Sequence, residues 1–535
     1  MSVEKKDQMG RMSRRDFVNG TAAGGLAAAI GGLVLTATPA SAQRQTPGIP
    51  AKWDKEADVI VVGSGAAGMP ATVAAVEAGA SVILVEKNTV VGGCALISQG
   101  FLGVGGGSQA QISANVVDSA DLDYAFYMDF KSRENRRNVP EVLRAFCDRS
   151  GDTIDWLVQH GVQIFNPAVR SHSIQWNVLG PGWLYGSSPT QKSSGAGMIK
   201  PLEAAAKAKG VDIQLGTEMT KLIRDGGTSG RAIGVVVKAG SRRLNFSAKK
   251  AVILASGSWK GHKYLRSLQD PRITDEMTGT GYPFVNDDGV GMLAAIEAGS
   301  IMTGDRADDR HVWHRMFGTR YYRFASGQPF AAPGIGTLGQ LSGDDMGYII
   351  FVNKAGVRFV NEAAGETTNG FYDYALAQPE HIIWTIFDGA AATKNHWTPT
   401  PPTVEPNMAF SASTWADLAE AISVPADALT NAVTKYNLYV DQKADPDFKK
   451  AQIYLTNKIA TPPFYAVAVS LQVHDTMGGL PINAKAQVLD IYGKVIPGLY
   501  AAGEVAGSLD LIGMPKGVVM GRIAGEAAAA EKASR

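Results

Sequence analysis

The sequence predicts an α/β protein whose parallel sheet draws on both ends of the chain, with a separate α+β block between them. Three observations carry this reading. Val59 to Val62 is an unbroken apolar run that passes directly into Gly63-Ser64-Gly65-Ala66-Ala67-Gly68, then an alanine-rich helical stretch, then a second apolar run ending at Glu86. Two later runs, within Lys249–Ser258 and Val495–Val505, are also apolar and end in small residues at Gly257 and Gly503-Glu504. From 301 to about 471 the texture changes to histidines and aromatics, among them His311, Trp313, His314, Tyr321, Tyr322 and Tyr372.

The first unit explains itself residue by residue. Val59 to Val62 suits a strand buried on both faces. Gly63 permits the tight turn, Gly65 admits a pyrophosphate to the main chain, and Gly68 lets helix and strand approach. Met69 to Ala80 is the helix, broken by Gly79, and its amino end offers N–H groups and a positive dipole to phosphates. Ser81 to Val85 is the next strand, and Glu86 sits where a carboxylate receives a ribose diol. This is the strand–turn–helix–strand–acid order of a Rossmann-like dinucleotide site.

The remaining elements follow in order. Gly92-Gly93-Cys94 and the glycine-rich Gly100–Gly107 suit backbone lying flat against a second part of a bound cofactor. Asp121 to Gly161 carries helical stripes through Val142, Leu143, Phe146, Ile154 and Leu157. Met198–Lys209 is a helix stopped by Gly210, and Val211–Ile223 a strand and turn. Gly234–Lys238 and Arg243–Ser247 form a small β-meander, followed by the separate strand within Lys249–Ser258. Asn286-Asp287-Asp288-Gly289 opens a helix through Ala298. Thr414–Tyr439 is one helix, and Gly521–Ala530 closes the chain.

Ahead of these elements, Ser13-Arg14-Arg15-Asp16-Phe17-Val18 is a twin-arginine pattern, followed by a mild apolar run and Ala40-Ser41-Ala42. The expectation is a signal peptide over 1–42, cleaved after Ala42, and a periplasmic or exported protein. A retained anchor is the rival reading, but the run of Gly and Ala is short for a span. No permanent membrane anchor is expected.

Composition sets the outer limits. The chain has 535 residues, enough for several domains, with 45% apolar and 19% charged residues. A net charge of +1 gives no reason to expect nucleic acid or an acidic membrane surface as partner. The two cysteines, Cys94 and Cys147, form no haem-attachment motif, and their spacing does not decide whether they pair. No His, Cys or Asp spacing resembles a metal site.

Taken together, the Gly63–Glu86 unit with Gly92-Gly93, the Ala251–Gly257 strand, Asp288-Gly289, Phe359-Val360-Asn361-Glu362, Val473-His474-Asp475-Thr476-Met477-Gly478-Gly479 and Pro497–Glu504 resemble the flavoprotein family of soluble fumarate reductases and 3-ketosteroid Δ1-dehydrogenases. The resemblance implies a Rossmann-like FAD-binding domain in two parts, 55–300 and 472–535, interrupted by a capping domain over 301–471. It implies that Gly63, Gly65, Gly68, Glu86, Gly92, Gly93, Gly257, Asp288 and Glu504 hold FAD. Their neighbours Ser64, Ala66, Ala67, Lys87, Cys94, Ser98, Gly100, Met219, Ser256, Gly503, Val518 and Val519 complete the expected set of cofactor contacts. No histidine lies between Cys94 and Gly107, so FAD is expected to be non-covalent.

Two departures bear on substrate. Members of that family that reduce fumarate carry an arginine after the Asn-Glu pair and another after the Gly-Glu strand. Here the first run reads Glu362-Ala363-Ala364-Gly365-Glu366-Thr367-Thr368, and the second offers only Lys516. A dicarboxylate needs charge-assisted, often bidentate partners. The expectation is therefore a small organic substrate that is neutral and bulky: steroid-like, alicyclic or aromatic. A hydride would pass between its activated carbon and flavin N5. Candidate catalytic residues are Tyr372 as acid or base, His474 as a substrate contact, Arg310, His311 and His314 at the cap entrance, and Lys516 as partner of an anion or carbonyl. No second dinucleotide motif is visible, so an external electron carrier, a cytochrome or quinone, is the expected partner. A reductase of an unsaturated carboxylic acid and a non-catalytic flavin carrier remain as alternatives.

Overall fold

The computed structural model describes residues 49–96, 98, 100–128, 138–170, 173–178, 195–227, 229–269, 278–279, 287–303, 314–315, 346–363, 374–375, 377–395, 397, 409–469, 472–473, 475–476, 478–509, 511 and 513–533. The principal sheet begins with β1 (Lys55–Val62), α1 (Gly68–Glu77) and β2 (Val82–Val85). Helices α2 (Pro140–Gln159) and α3 (Ala196–Ala208) follow, then β3 (Asp212–Gln214), β4 (Thr217–Gly226), β5 (Ser229–Ala239), β6 (Arg242–Leu254) and α4 (Val290–Glu297). The sheet is completed from late in the chain by β11 (Gln487–Leu489) and β12 (Val495–Ala501), and α7 (Met514–Ala529) covers it.

The strand order is β11-β12-β6-β1-β2-β3, parallel except where β11 meets β12, with β5 and β4 added antiparallel beside β6. Val59, Ile60 and Val61 are fully buried between β2 and β6. That double coverage is what the continuous apolar run asks for.

Two expectations change here. The meander strand at Arg243–Ser247 and the strand read within Lys249–Ser258 are one element, β6. Its first half pairs with β5 and its last residues with β12. The strand runs on through Lys249-Lys250, because Lys249 is exposed and Lys250 reaches the Ala529 carbonyl at 2.8 Å. The closing helix begins at Met514 rather than Gly521. Gly517, Gly521 and Gly525 lie on one face of α7, where a Cβ would fall 2.9 Å from Ala66 Cβ, 2.3 Å from the Ala67 carbonyl oxygen and 2.3 Å from that of Ala71. These glycines let α7 lie directly on the start of α1.

The second sheet lies wholly between 350 and 469. Its strands β7 (Ile350–Asn353), β8 (Ile383–Asp388), β9 (Ala409–Ala412) and β10 (Phe464–Val469) take the antiparallel order β7-β8-β10-β9. Phe387 and Trp397 belong to one apolar cluster against this sheet, and Leu418, Leu429 and Tyr436 to another. The helix expected over Thr414–Tyr439 is two, α5 (Trp415–Ala421) and α6 (Ala426–Gln442). Ser423 takes a φ of +56° between them and Pro425 caps the second. A proline there fixes its own φ and removes a donor, so the break follows from sequence chemistry.

Candidate functional site

The turn after β1 is a cradle in which two glycines are required by the protein and one is not. Gly63 has φ +96°, and a Cβ there would lie 2.4 Å from the Ala255 carbonyl oxygen; at Gly68 it would lie 1.8 Å from that of Gly63. A Cβ on Gly65 meets protein only at 3.8 Å, and one on Gly93 meets nothing within 4 Å. The space before Gly65 and Gly93 is therefore open for something other than protein. Helix α1 starts at this space with no side-chain cap and no acidic residue in its first turn. Met69 donates to the Gly65 carbonyl at 3.1 Å and Pro70 carries no N–H, so it is the positive dipole end of the helix that suits an anion.

Glu86 braces the cradle. It is 5% exposed, and its Oε2 accepts from the Ser64 amide at 2.9 Å and from the Ser64 hydroxyl. Its Oε1 accepts from the Asn88 amide at 2.8 Å and from Asn88 Nδ2 at 2.9 Å. The Ser64 hydroxyl in turn accepts from the Gly92 amide at 2.9 Å, tying the first glycine turn to the second. A carboxylate has about four acceptor positions, so a diol binding there exchanges with one of these donors.

Other expected residues converge on the same end of the sheet. Lys87 bridges Asp288 at 2.7 Å and Glu218 at 3.1 Å, and Met219 beside that glutamate is buried. These two charges hold the Lys87 pKa above its ordinary value, although burial opposes its charge. The Ser256 hydroxyl is buried and makes no hydrogen bond among the described residues. Gly503 has φ +81°, and a Cβ there would fall 2.9 Å from Ala67 Cβ. Ser98 donates to Met514 Sδ at 2.9 Å, its hydroxyl accepts from the Gly100 amide at 3.3 Å, and its carbonyl accepts from Gly195 at 3.0 Å. Val518 and Val519, 1% and 0% exposed, belong to the apolar core around α7.

Sequence reasoning missed Lys260 and Asp287. Lys260 Nζ lies 2.8 Å from Asp287 Oδ2 and 3.7 Å from Glu504 Oε2. Cys94 Sγ reaches the same Asp287 oxygen at 3.5 Å. Burial first, and then the Asp287 charge, push the Cys94 thiol far up, so it stays protonated and is no nucleophile. Only the fold brings these groups together; the one signal in the sequence is a lysine three residues past Gly257.

Lys516 is 1% exposed in the first turn of α7, behind Gly513 at φ +65°. Tyr372, His474, Arg310 and His311 lie outside the described residues. His314 lies in a two-residue strand that pairs antiparallel with Asp475–Thr476, and Gln472–Val473 pairs with Thr278–Gly279. The chain on each side of His474 is thus held in strand pairing. Thr303 and Gly479 exchange backbone hydrogen bonds at 2.7 and 3.1 Å, so the two chain segments flanking the cap run side by side.

At the head of the cap, Arg358 Nε and Nη2 grip Glu362 at 2.7 and 2.8 Å, Nη2 reaches Asp445 at 2.8 Å, and Lys450 lies 3.1 Å from Glu362. A depression of about 450 Å³ lined by Lys55, Val76, Lys209 and Asp212 sits at the amino ends of β1 and β2. A parallel sheet presents ligands at its carboxyl ends, so that depression is not the site. The open cradle before Gly65 and Gly93, the uncapped α1 and the unused Ser256 hydroxyl all fit a dinucleotide cofactor.

The sequence pattern of the FAD binding domain family matches residues 58–513. The chain is 31% identical over 477 residues to a probable fumarate reductase, Ifc3, of Shewanella frigidimarina, covering 88% of this chain and 74% of that protein. It is 27% identical over 545 residues to the acrylate reductase flavoprotein subunit of Shewanella woodyi, covering 98% of this chain and 99% of that one. Among solved structures, the open conformation of a flavocytochrome c3 fumarate reductase superposes with a TM-score of 0.70 at 28% identity, over 90% of this chain and 79% of that one.

Proposed function

The chain belongs to the FAD binding domain family, and from that premise we propose that it is an exported enzyme acting on a neutral, bulky organic substrate. It is an FAD-dependent oxidoreductase of carbon–carbon bonds. FAD, when bound, supplies the hydride donor or acceptor at N5. The chain's own residues bind the cofactor and substrate, support the charge that develops on the activating group, and exchange a proton.

Lys516 carries this reading. The Lys516 side chain is buried in the first turn of α7, and a cation on it would stabilise the oxygen of a carbonyl as it gains negative charge. One cation suits one activating group. Fumarate has two carboxylates, and the run after Glu504, where a fumarate reductase clamps a carboxylate with arginine, offers only Lys516, while the run after Asn361-Glu362 also lacks arginine. Tyr372 is assigned the proton at the neighbouring carbon and His474 a substrate contact, and Arg310, His311 and His314, which open the cap in the sequence, are assigned further substrate contacts. The twin-arginine pattern at Arg14-Arg15 supports export. Among the described residues no helix is long and apolar enough to cross a membrane. Electrons pass to or from an external carrier, a cytochrome or quinone.

A second reading is a reductase of an unsaturated monocarboxylic acid, with the carboxylate on Lys516. The end-to-end similarity to an acrylate reductase subunit favours it. Anaerobic flavin spectroscopy separates the two. Bleaching of the oxidised holoenzyme by saturated neutral ring compounds is the result expected of the first reading. Reoxidation of the reduced enzyme by unsaturated monocarboxylates, with no bleaching by ring compounds, would replace it with the second.

A further inference from the structure

Lys260 joins loops that no single motif connects. It is 3% exposed and lies just beyond β6, at the carboxyl end of the parallel strands. Its ammonium meets Asp287 from the turn before α4 at 2.8 Å and Glu504 from the turn after β12 at 3.7 Å. Cys94, from the second glycine turn, meets the same Asp287 oxygen at 3.5 Å. The other Asp287 oxygen is so close to Gly257 that a Cβ there would fall 2.2 Å from it. Four segments expected to hold the cofactor therefore converge on one buried charge. Burial opposes that charge, but Asp287 and Glu504 keep the ammonium well above its ordinary pKa.

Replacing the whole ion group by apolar side chains of the same volume need not cost stability, but removing Lys260 alone leaves Asp287 and Glu504 uncompensated. The charge matters more to what binds beside it. FAD brings an anionic pyrophosphate to a region that already holds two carboxylates. We propose that Lys260 is a positioning residue for the cofactor: it fixes the Glu504 carboxylate and, through Asp287, the Gly257 turn, and it offsets their charge where FAD must enter. The inference rests on the cofactor and is independent of the substrate.

The test is reconstitution of the full-length apoprotein with FAD, followed by flavin fluorescence. In K260M the FAD dissociation constant is expected to rise about tenfold or more at pH near 8. It should recover as pH falls towards about 6, because an uncompensated carboxylate takes up a proton before the anion binds. The wild type should change little over that range. The groups facing the vacated position are Asp287, Glu504 and the Cys94 thiol, with the Arg266 guanidinium at the Lys260 carbonyl. In an E504Q background the K260M effect should shrink, since the two changes act on one interaction. An unchanged dissociation constant overturns the proposal. So does a loss that is independent of pH and additive with E504Q, which would mark Lys260 as a strut. K260Q carries the same comparison if K260M does not fold.

Discussion

Replacing Glu362 by glutamine tests how the cap is held together. The side chain is fully buried, and two cations, Arg358 and Lys450, balance two carboxylates, Glu362 and Asp445. Burial alone would raise the Glu362 pKa, but Lys450 and Arg358 outweigh it and hold the carboxyl at about 2, below its ordinary 4.5. That difference corresponds to about 3 kcal/mol favouring the folded state while the group is ionised. E362Q leaves two buried cations sharing Asp445, and breaking a buried pair in this way costs about 3–5 kcal/mol. For a unit the size of the cap this lowers Tm by on the order of 10 °C. The assay is thermal unfolding followed by fluorescence of Trp384, Trp397 and Trp415, all within the cap. The double change E362Q/K450M restores the charge balance and should recover at least half of the loss. Because the folded pKa is depressed, the stabilisation is complete above about 4.5 and fades as pH falls towards about 2 in the wild type only. An E362Q variant within about 1 kcal/mol of wild type, with the same acid profile, would show that the ion network adds nothing to cap stability.

Three further outcomes are expected. G65A should leave apoprotein stability within about 0.5 kcal/mol, because its Cβ meets protein only at 3.8 Å, yet weaken FAD binding about tenfold or more; normal FAD binding would mean the open space is not the cofactor's. G68A, by contrast, should destabilise the apoprotein itself by about 1–3 kcal/mol in urea titrations, since its Cβ would lie 1.8 Å from a carbonyl oxygen. Acid precipitation of the holoenzyme should leave all flavin in the supernatant; flavin retained in the pellet would mean a covalent bond.

Some of this architecture was readable and some was not, for reasons that particular residues make plain. The Gly63–Glu86 unit was legible because strand, turn and helix there are contiguous, and each glycine answers a local demand. The early start of α7 was hidden because Gly517, Gly521 and Gly525 lower helix propensity, while their purpose lies in a distant helix. The continuity of β6 was hidden by Lys249-Lys250, whose placement depends on an exposed position and on the Ala529 carbonyl. The split between α5 and α6 is written in Ser423-Val424-Pro425, but the apolar period continues across it and masks the break. Lys260 and Asp287 could not be paired from sequence at all, since their meeting depends on strand order.

The glycine face of α7 has a consequence for how the enzyme matures. Ala66, Ala67 and Ala71, at the opening of the nucleotide cradle, are covered by residues that leave the ribosome after almost everything else. Strand β12, which borders β6, also emerges late. The first described strand and helix are thus among the last parts of the sheet to be covered. A nascent chain halted anywhere before α7 would expose an unclosed anion site.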